Sequence, residues 1–393
     1  MLSATSGTLR IGARRLVPRA TSIAAAALRP SRDFLGRHRN LNNININARS
    51  FSTTQRYGYV AETNPNPPFG KKNASNDTPS RVALIGGRGY TGQALIDLLD
   101  KHAYIDLQYV SSRELVGQEL KGYTKRKIIY DNLSAEDCTQ LDVDVYILAL
   151  PNGVCKPYVD AIDQAEKGKD KKSVIIDLSA DYRFDDSWTY GLPELTGRSK
   201  IAQSTRISGP GCYATGAQLA ISPIQDLIAT SPTIVGISGY SGAGTSKSLK
   251  NDVAYLTGGV LPYSLTDHIH EREISYHTTD VAFIPHVSSW FRGIHLAINI
   301  PLNKSMNSRD IRNIYQDRYA GEKLIKVVGE APYVKNIADK HHVEIGGFAV
   351  DKTGKRVVIC ATIDNLNKGA STQCLQNMNL ALGYAEFEGI PVV

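Results

Sequence analysis

Arg81-Val-Ala-Leu-Ile-Gly-Gly-Arg-Gly-Tyr-Thr-Gly92 runs from a short apolar strand into three spaced glycines, and Gln93-Ala-Leu-Ile-Asp-Leu-Leu-Asp100 continues at helical spacing. Strand, glycine turn and helix, in that order, is the context that gives a dinucleotide fingerprint its meaning. Gly86, Gly89 and Gly92 are spaced G-x-x-G-x-x-G rather than G-x-G-x-x-G, so the turn by itself also admits a ligand-free βα connection. Glycines there let the backbone approach a pyrophosphate resting on the helix N-terminus. The next strand, Ile105-Asp-Leu-Gln-Tyr-Val110, ends in Ser111-Ser-Arg113. An NAD site wants Asp or Glu at that strand end, whereas hydroxyls and a guanidinium suit a 2′-phosphate. Ser112 and Arg113 therefore read as NADP contacts, with Glu114 as a neighbouring counter-signal.

Two more buried-type strands follow, Val143-Asp-Val-Tyr-Ile-Leu-Ala-Leu150 and Ser173-Val-Ile-Ile-Asp-Leu178, each breaking into a polar turn. Apolar strands alternating with helical stretches predict an α/β fold, a Rossmann-type doubly wound parallel sheet with ligands at its C-terminal strand ends. After about residue 230 the texture changes: Thr233–Tyr240, Asp280–Pro285, Gly293–Ile300 and Arg356–Ile363 predict a second, more antiparallel sheet, with a helix near Ser308–Tyr319. The tail from Asn367 reads as a helix able to pack back on the first sheet. The expected organisation is a leader over 1–56, a linker over 57–79, an NADP-binding domain over 80–211, a catalytic and oligomerisation domain over 212–363, and a returning helix over 364–393.

The net charge of +7 sits on the leader. Residues 1–56 carry ten Arg, one Asp and neither Lys nor Glu, leaving the rest slightly acidic. Nucleic-acid binding by the folded body is excluded on that distribution. Arg-, Ser- and Ala-rich sequence nearly free of acids reads as a mitochondrial transit peptide, and hence a matrix location. No segment reaches the roughly 18–20 apolar residues that span a bilayer. Five cysteines without a C-x-x-C pair argue against a disulfide framework or a Cys-based zinc site.

Gly209-Pro-Gly-Cys-Tyr-Ala-Thr-Gly216 sets Cys212 on a turn directly before an apolar-periodic run from Ala214 to about Ala229. A cysteine at a helix start meets unpaired N–H groups that favour the thiolate, the form that attacks carbonyl carbon; a small buried hydrophobe is the plainer alternative. Thr266-Asp-His-Ile-His-Glu-Arg-Glu-Ile274 is the densest cluster of ionisable groups. His268, His270 and Glu273 within it read as acid/base machinery, or less readily as metal ligands, because no clear extra ligand accompanies them. No metal is expected. His286 is a second candidate base with a structural role the simpler reading, and His341 and His342 lie in a polar stretch read as solvated.

Together these residues resemble the N-acetyl-γ-glutamyl-phosphate reductases of the semialdehyde dehydrogenase superfamily, in a mitochondrial fungal-type form. The most specific signs are Gly89-Tyr-Thr-Gly92, Asp177-Leu-Ser-Ala-Asp-Tyr-Arg183, Tyr190-Gly-Leu-Pro-Glu194, Pro210-Gly-Cys-Tyr213, Ser241-Gly-Ala-Gly244, His268-Ile-His270 and Ile363-Asp-Asn-Leu-Asn-Lys-Gly369. Asn152 and Gly209 depart from residues the family often has. The resemblance implies a second α+β domain like that of glyceraldehyde-3-phosphate dehydrogenase. It implies NADPH-dependent reduction of N-acetylglutamyl 5-phosphate, with Cys212 as nucleophile, His270 as acid/base and Glu273 as its orienting partner; the alternatives are another semialdehyde dehydrogenase, of the aspartate-semialdehyde type, and a non-catalytic NADP-binding sensor or scaffold. It places the pyrophosphate on Gly86, Gly89, Tyr90, Thr91 and Gly92, the 2′-phosphate on Ser112 and Arg113, the nicotinamide amide on Asn365, and the substrate on Arg183 and His268. It also implies a homo-oligomer and association with earlier arginine-pathway enzymes. Some family members are cut from a precursor that includes the kinase, an arrangement not expected to apply directly to a chain with its own leader.

Overall fold

Val82, Ala83, Leu84 and Ile85 are all buried, so the strand β1 (Ser80–Ile85) is enclosed on both faces, as an interior strand of a parallel sheet must be. The computed structural model describes residues 78–392; the expected leader, and the linker up to residue 77, lie outside the described residues. β1 pairs in parallel with β2 (Ile105–Ser111) and β3 (Val145–Leu148). β4 (Val174–Asp177), β5 (Thr189–Tyr190) and β6 (Arg206–Ser208) complete a six-stranded sheet in the order β2-β1-β3-β4-β6-β5, every pairing parallel. One face packs Val82, Leu84, Leu107 and Ile147 under the helix Tyr90–Lys101; the other packs Ala83, Ile85, Tyr146 and Leu148. The chain moves outward from β1 to β2 and returns to β3 on the opposite side. That reversal opens a crevice above the C-terminal ends of β1 and β3, where ligands of such sheets bind.

The second sheet comprises β7 (Thr233–Gly239), β8 (Val260–Pro262), β9 (Ala282–Ser288), β10 (Ile294–Pro301), β11 (Ile325–Val327), β12 (Val343–Val350) and β13 (Arg356–Ile363). Its order is β11-β12-β13-β10-β7-β9-β8, antiparallel except for the β7–β9 and β11–β12 pairs. Along β10, Ile294, Leu296, Ile298 and Ile300 are buried in one core with the helix Cys212–Ile221, while alternate residues are half-buried. On the opposite face Ile284, Val235, Ala297 and Cys360 form one row across β9, β7, β10 and β13, all partly exposed.

The Cys212 helix stops at Ile221, short of the predicted end near Ala229, and a tighter 3-10 stretch spans Ser222–Leu227. Pro223 explains this: it has no N–H to offer the Leu219 carbonyl, and the Tyr319 hydroxyl donates to that oxygen instead, at 2.5 Å. At the other end of the chain, the turn Asn367–Ser371 is wound in wide i→i+5 bonds, Gly369 N–H to Asp364 O and Ser371 N–H to Leu366 O. The helix Thr372–Leu382 then places Leu375, Met378 and Leu382 in the core of the parallel sheet. Among the described residues no helix is long and apolar enough to cross a membrane.

Candidate active site

The turns after β1, β2, β3 and β6 converge with the 241–246 loop and the 365–373 segment on one cavity of about 740 Å³. It is lined by Gly86, Gly89, Tyr90, Thr91, Gly92, Ser112, Arg113, Arg183, Cys212, His270 and Asn365. A smaller cavity of about 260 Å³ on the far side of Arg183, beside Tyr190 and His277, is not lined by Cys212.

One wall is mostly backbone. Gly86 has φ +94°, and a Cβ there would stand 2.3 Å from the Ala149 carbonyl oxygen, so only glycine fits. A Cβ on Gly89 would meet nothing within 4 Å: its backbone faces open space. Gly89 caps the helix Tyr90–Lys101 without a side-chain hydrogen bond, leaving first-turn N–H groups available to an anion. This open glycine cradle at a helix start fits a dinucleotide pyrophosphate. Ser112 is buried at the end of β2 and Arg113 is exposed beside it. Glu114 forms an ion pair with Arg88, whose other guanidinium nitrogen donates to Thr245 Oγ1 at 2.9 Å. The counter-signal next to Arg113 thus has its own cation, supplied from within the glycine turn.

The facing wall is made of side chains. Cys212 is the first residue of its helix, after Gly211, and no side chain caps that end. The thiol is nevertheless pushed up to about 11, not down: burial dominates, and the Tyr213 N–H and the Arg183 charge only partly offset it. The expected dipole effect is present but smaller than the cost of charging sulfur away from water. His270 is held well below the ordinary imidazole range by burial, then by Arg183 and His268, so it is neutral near pH 7. Its ring lies against the Cys212 turn, where a Cβ on Gly211 would come within 2.2 Å of Nε2. Nδ1 is buried without a partner.

Glu273 does not orient that ring. Fully buried, it accepts from Tyr190 Oη (2.7 Å) and Gly211 N–H (2.8 Å) with one oxygen and from Arg183 (2.9 Å) with the other. Arg183 in turn donates to the Gly209 carbonyl at 2.9 Å. The pair clamps the turn that carries Cys212; the helix Ile269–His277 points Glu273, one turn beyond His270, beneath that turn rather than at the imidazole. His268 does not line the cavity either. It caps the same helix, its Nδ1 accepting from the His270 N–H at 3.1 Å, with its ring among Tyr213, Tyr263 and Phe283. Asn365 lines the cavity, but its amide already accepts from Gly293 N–H and donates to Ser241 Oγ.

Residues 81–204 match the family described as "Semialdehyde dehydrogenase, NAD binding domain", and residues 212–365 the "Semialdehyde dehydrogenase, dimerisation domain". The N-acetyl-gamma-glutamyl-phosphate reductase of Stenotrophomonas maltophilia is 48% identical over 320 residues, covering 80% of this chain and 99% of the relative. The chain belongs to the N-acetyl-γ-glutamyl-phosphate reductase family. The mitochondrial protein arg-6 of Neurospora crassa is 65% identical over 87% of this chain, which spans only 40% of that relative's length. The aspartate semialdehyde dehydrogenase II of Vibrio cholerae shares the fold, with a TM-score of 0.64 at 16% identity, covering 77% of this chain and 98% of that one.

Within this reductase family framework, several residues at the site show their contacts only in the assembled fold. Arg88 is visible only as the one charge inside the glycine turn. Tyr190, Gly211 and Gly369 stand in motifs whose contacts form across the fold; a Cβ on Gly369 would lie 2.7 Å from Cys212 Cβ. His286 is not at the cavity and its carbonyl accepts from the Tyr213 hydroxyl. His342 is buried and His341 half-buried, against the solvated reading, because β12 begins at the next residue and Thr372 Oγ1 pairs with His341 Nδ1.

Proposed function

We propose that this chain reduces N-acetyl-L-glutamyl 5-phosphate to N-acetyl-L-glutamate 5-semialdehyde and phosphate with NADPH, through a thioester on Cys212. The observation that carries the reading is the meeting of a glycine cradle and a Cys212–His270 turn in one cavity, within this family. Neutral His270 takes the Cys212 proton as sulfur attacks the acyl carbon and phosphate leaves. Gly86, Gly89, Tyr90, Thr91 and Gly92 would hold the pyrophosphate of NADPH and Ser112 and Arg113 its 2′-phosphate, and the bound nucleotide would be the source of hydride for the thioester carbon. The protonated His270 stabilises charge on the thiohemiacetal oxygen; the C–S bond then breaks to give the aldehyde, and the proton returns from His270 to the Cys212 sulfur. Arg183 lines the cavity, and although its guanidinium is paired with Glu273 we take it as a contact for the substrate. Burial of the resting thiol suits this order, because the thiol ionises when substrate and base are both in place.

The domain reading is a cofactor unit over 80–211, a catalytic and oligomerisation unit over 212–363, and the returning tail over 364–393. The half-exposed row Ile284–Val235–Ala297–Cys360 supports pairing with a second copy through the second sheet. The mitochondrial names of fungal relatives and the Arg-rich leader support a mitochondrial location, which we take to be the matrix. Association with earlier arginine-pathway enzymes belongs to the same reading. The test is NADP-dependent oxidation of N-acetylglutamate semialdehyde with phosphate, beside aspartate semialdehyde. A clear preference for the acetylated substrate is expected; equal or better use of aspartate semialdehyde overturns the substrate assignment.

A further inference from the structure

Lys368 is fully buried inside the wide turn that brings Gly369 against Cys212. An ammonium has three donors and no acceptor, and all three are engaged: Glu194 at 2.7 Å, Gln373 at 2.6 Å and Gln376 at 2.7 Å. Glu194 is buried too; burial alone would raise its carboxyl, but Lys368 and Arg198 bring it below its ordinary value, so the charge on Lys368 is matched. This arrangement dictates how the Gln373 amide lies. Facing a group that only donates, the amide must present its oxygen to Lys368 and turn its NH₂ the other way. That NH₂ is buried without a partner, in a side chain that is 1% exposed and lies on the wall of the 740 Å³ cavity. A buried donor left unpaired costs free energy of about 1–3 kcal/mol, so it marks a place where an acceptor is expected.

We infer that Gln373 is a ligand-binding residue of this cavity, its Nε2 donating to an acceptor oxygen of the bound molecule, with Lys368 and Glu194 as positioning residues that fix the amide. The turn Asn367–Ser371, just before Gln373, packs against both the glycine-turn helix and the Cys212 helix, and the helix Thr372–Leu382 that carries Gln373 packs against the former. The acceptor therefore belongs to a molecule bound in this cavity, either the nucleotide or the acyl group at Cys212. The inference rests on the proposed reaction only for the second source.

Gln373→Glu is the decisive variant, because it keeps an oxygen for Lys368 and replaces the unpaired donor with an acceptor. Three quantities are to be measured on wild type and variant: NADPH affinity by fluorescence in the absence of substrate, the KM and kcat for N-acetylglutamate semialdehyde, and the melting temperature. The expected result is a melting temperature close to wild type with a loss of about tenfold or more. That loss falls in NADPH affinity if the nucleotide is the partner, and in kcat/KM with NADPH affinity intact if the acyl group is. Wild-type values on both arms overturn the inference. So does a uniform loss with a lowered melting temperature that Gln373→Met reproduces, since that is a structural role alone. Wild type inactive toward the acetylated substrate sinks the proposed function and leaves the nucleotide arm as the test of Gln373.

Discussion

The two walls of the cavity are built on opposite principles. The glycine wall would meet its ligand with main chain: Gly86, at positive φ, leaves no room for a Cβ beside the Ala149 carbonyl, Gly89 faces open space, and the groups that would carry specificity, Ser112 and Arg113, stand at a strand end. The thiol wall is a set of buried side chains tied across long sequence separations, Arg183 to Glu273 and Glu273 to Tyr190 and Gly211. The first is local and tolerates loss of a side chain; the second is cooperative, and removing one member leaves others buried without partners. Substitutions on the two walls are therefore expected to differ in kind.

The largest effect is expected at the sulfur. Cys212→Ser should lose roughly four orders of magnitude or more in turnover while still binding NADPH, since the glycine wall is untouched. Cys138, Cys155, Cys360 and Cys374 should tolerate Ala with far smaller losses in turnover; substantial activity in Cys212→Ser would end the thioester mechanism. Next comes Glu273→Gln, which leaves the Arg183 guanidinium buried without a counter-charge. A loss of about 3–5 kcal/mol in unfolding free energy is expected together with loss of turnover. A variant of wild-type stability that is merely slower would mean that the clamp on Gly211 is not what Glu273 provides.

Those two substitutions also mark how far the sequence could be read. The parallel sheet was legible because β1, β3 and β4 are short, nearly continuous apolar runs between turns, and the position of Cys212 at a helix start followed from Gly-Pro-Gly and the run behind it. Glu273 was read as the partner of His270 and its contacts lie elsewhere, because spacing on a helix places it near His270 but says nothing of Tyr190 and Gly211 arriving from the other sheet. The thiol was misjudged for the same reason: a helix terminus is visible in sequence, whereas the burial that outweighs it is a property of the assembled walls. Gln373 had no local signal at all, since its unpaired donor exists only once Lys368 has fixed the amide.

On the glycine wall the expected effects are smaller and selective. Arg113→Ala should weaken NADPH binding by about 1.5–3 kcal/mol, leave NADH binding nearly unchanged, and leave the melting temperature unchanged. Equal losses for both nucleotides, read by fluorescence titration, would make Arg113 a structural residue. The smallest effect lies away from both walls. His102 is held down to about 4 by burial, with Nε2 paired to Asn379 and Nδ1 accepting from the Tyr104 N–H. Its folded value lies below its unfolded one, so its contribution is complete above about pH 6.5 and is lost as pH falls through about 4. The melting temperature should decline over that window, and His102→Gln should decline less steeply; an unchanged slope would remove His102 from the cause.

The central claim is that the two groups of the thiol wall rest uncharged, Cys212 as a thiol and His270 as a neutral imidazole, and acquire charge only with substrate in place. The most direct measurement is the pH profile of iodoacetamide inactivation, with wild type and His270→Asn side by side and no substrate present. The account predicts that both rates keep rising through pH 9 toward a midpoint near 11, where burial places the Cys212 thiol, with little difference between the two proteins. A wild-type rate already level at pH 6 to 7, and lost in His270→Asn, would reveal a thiolate–imidazolium pair at rest and contradict it.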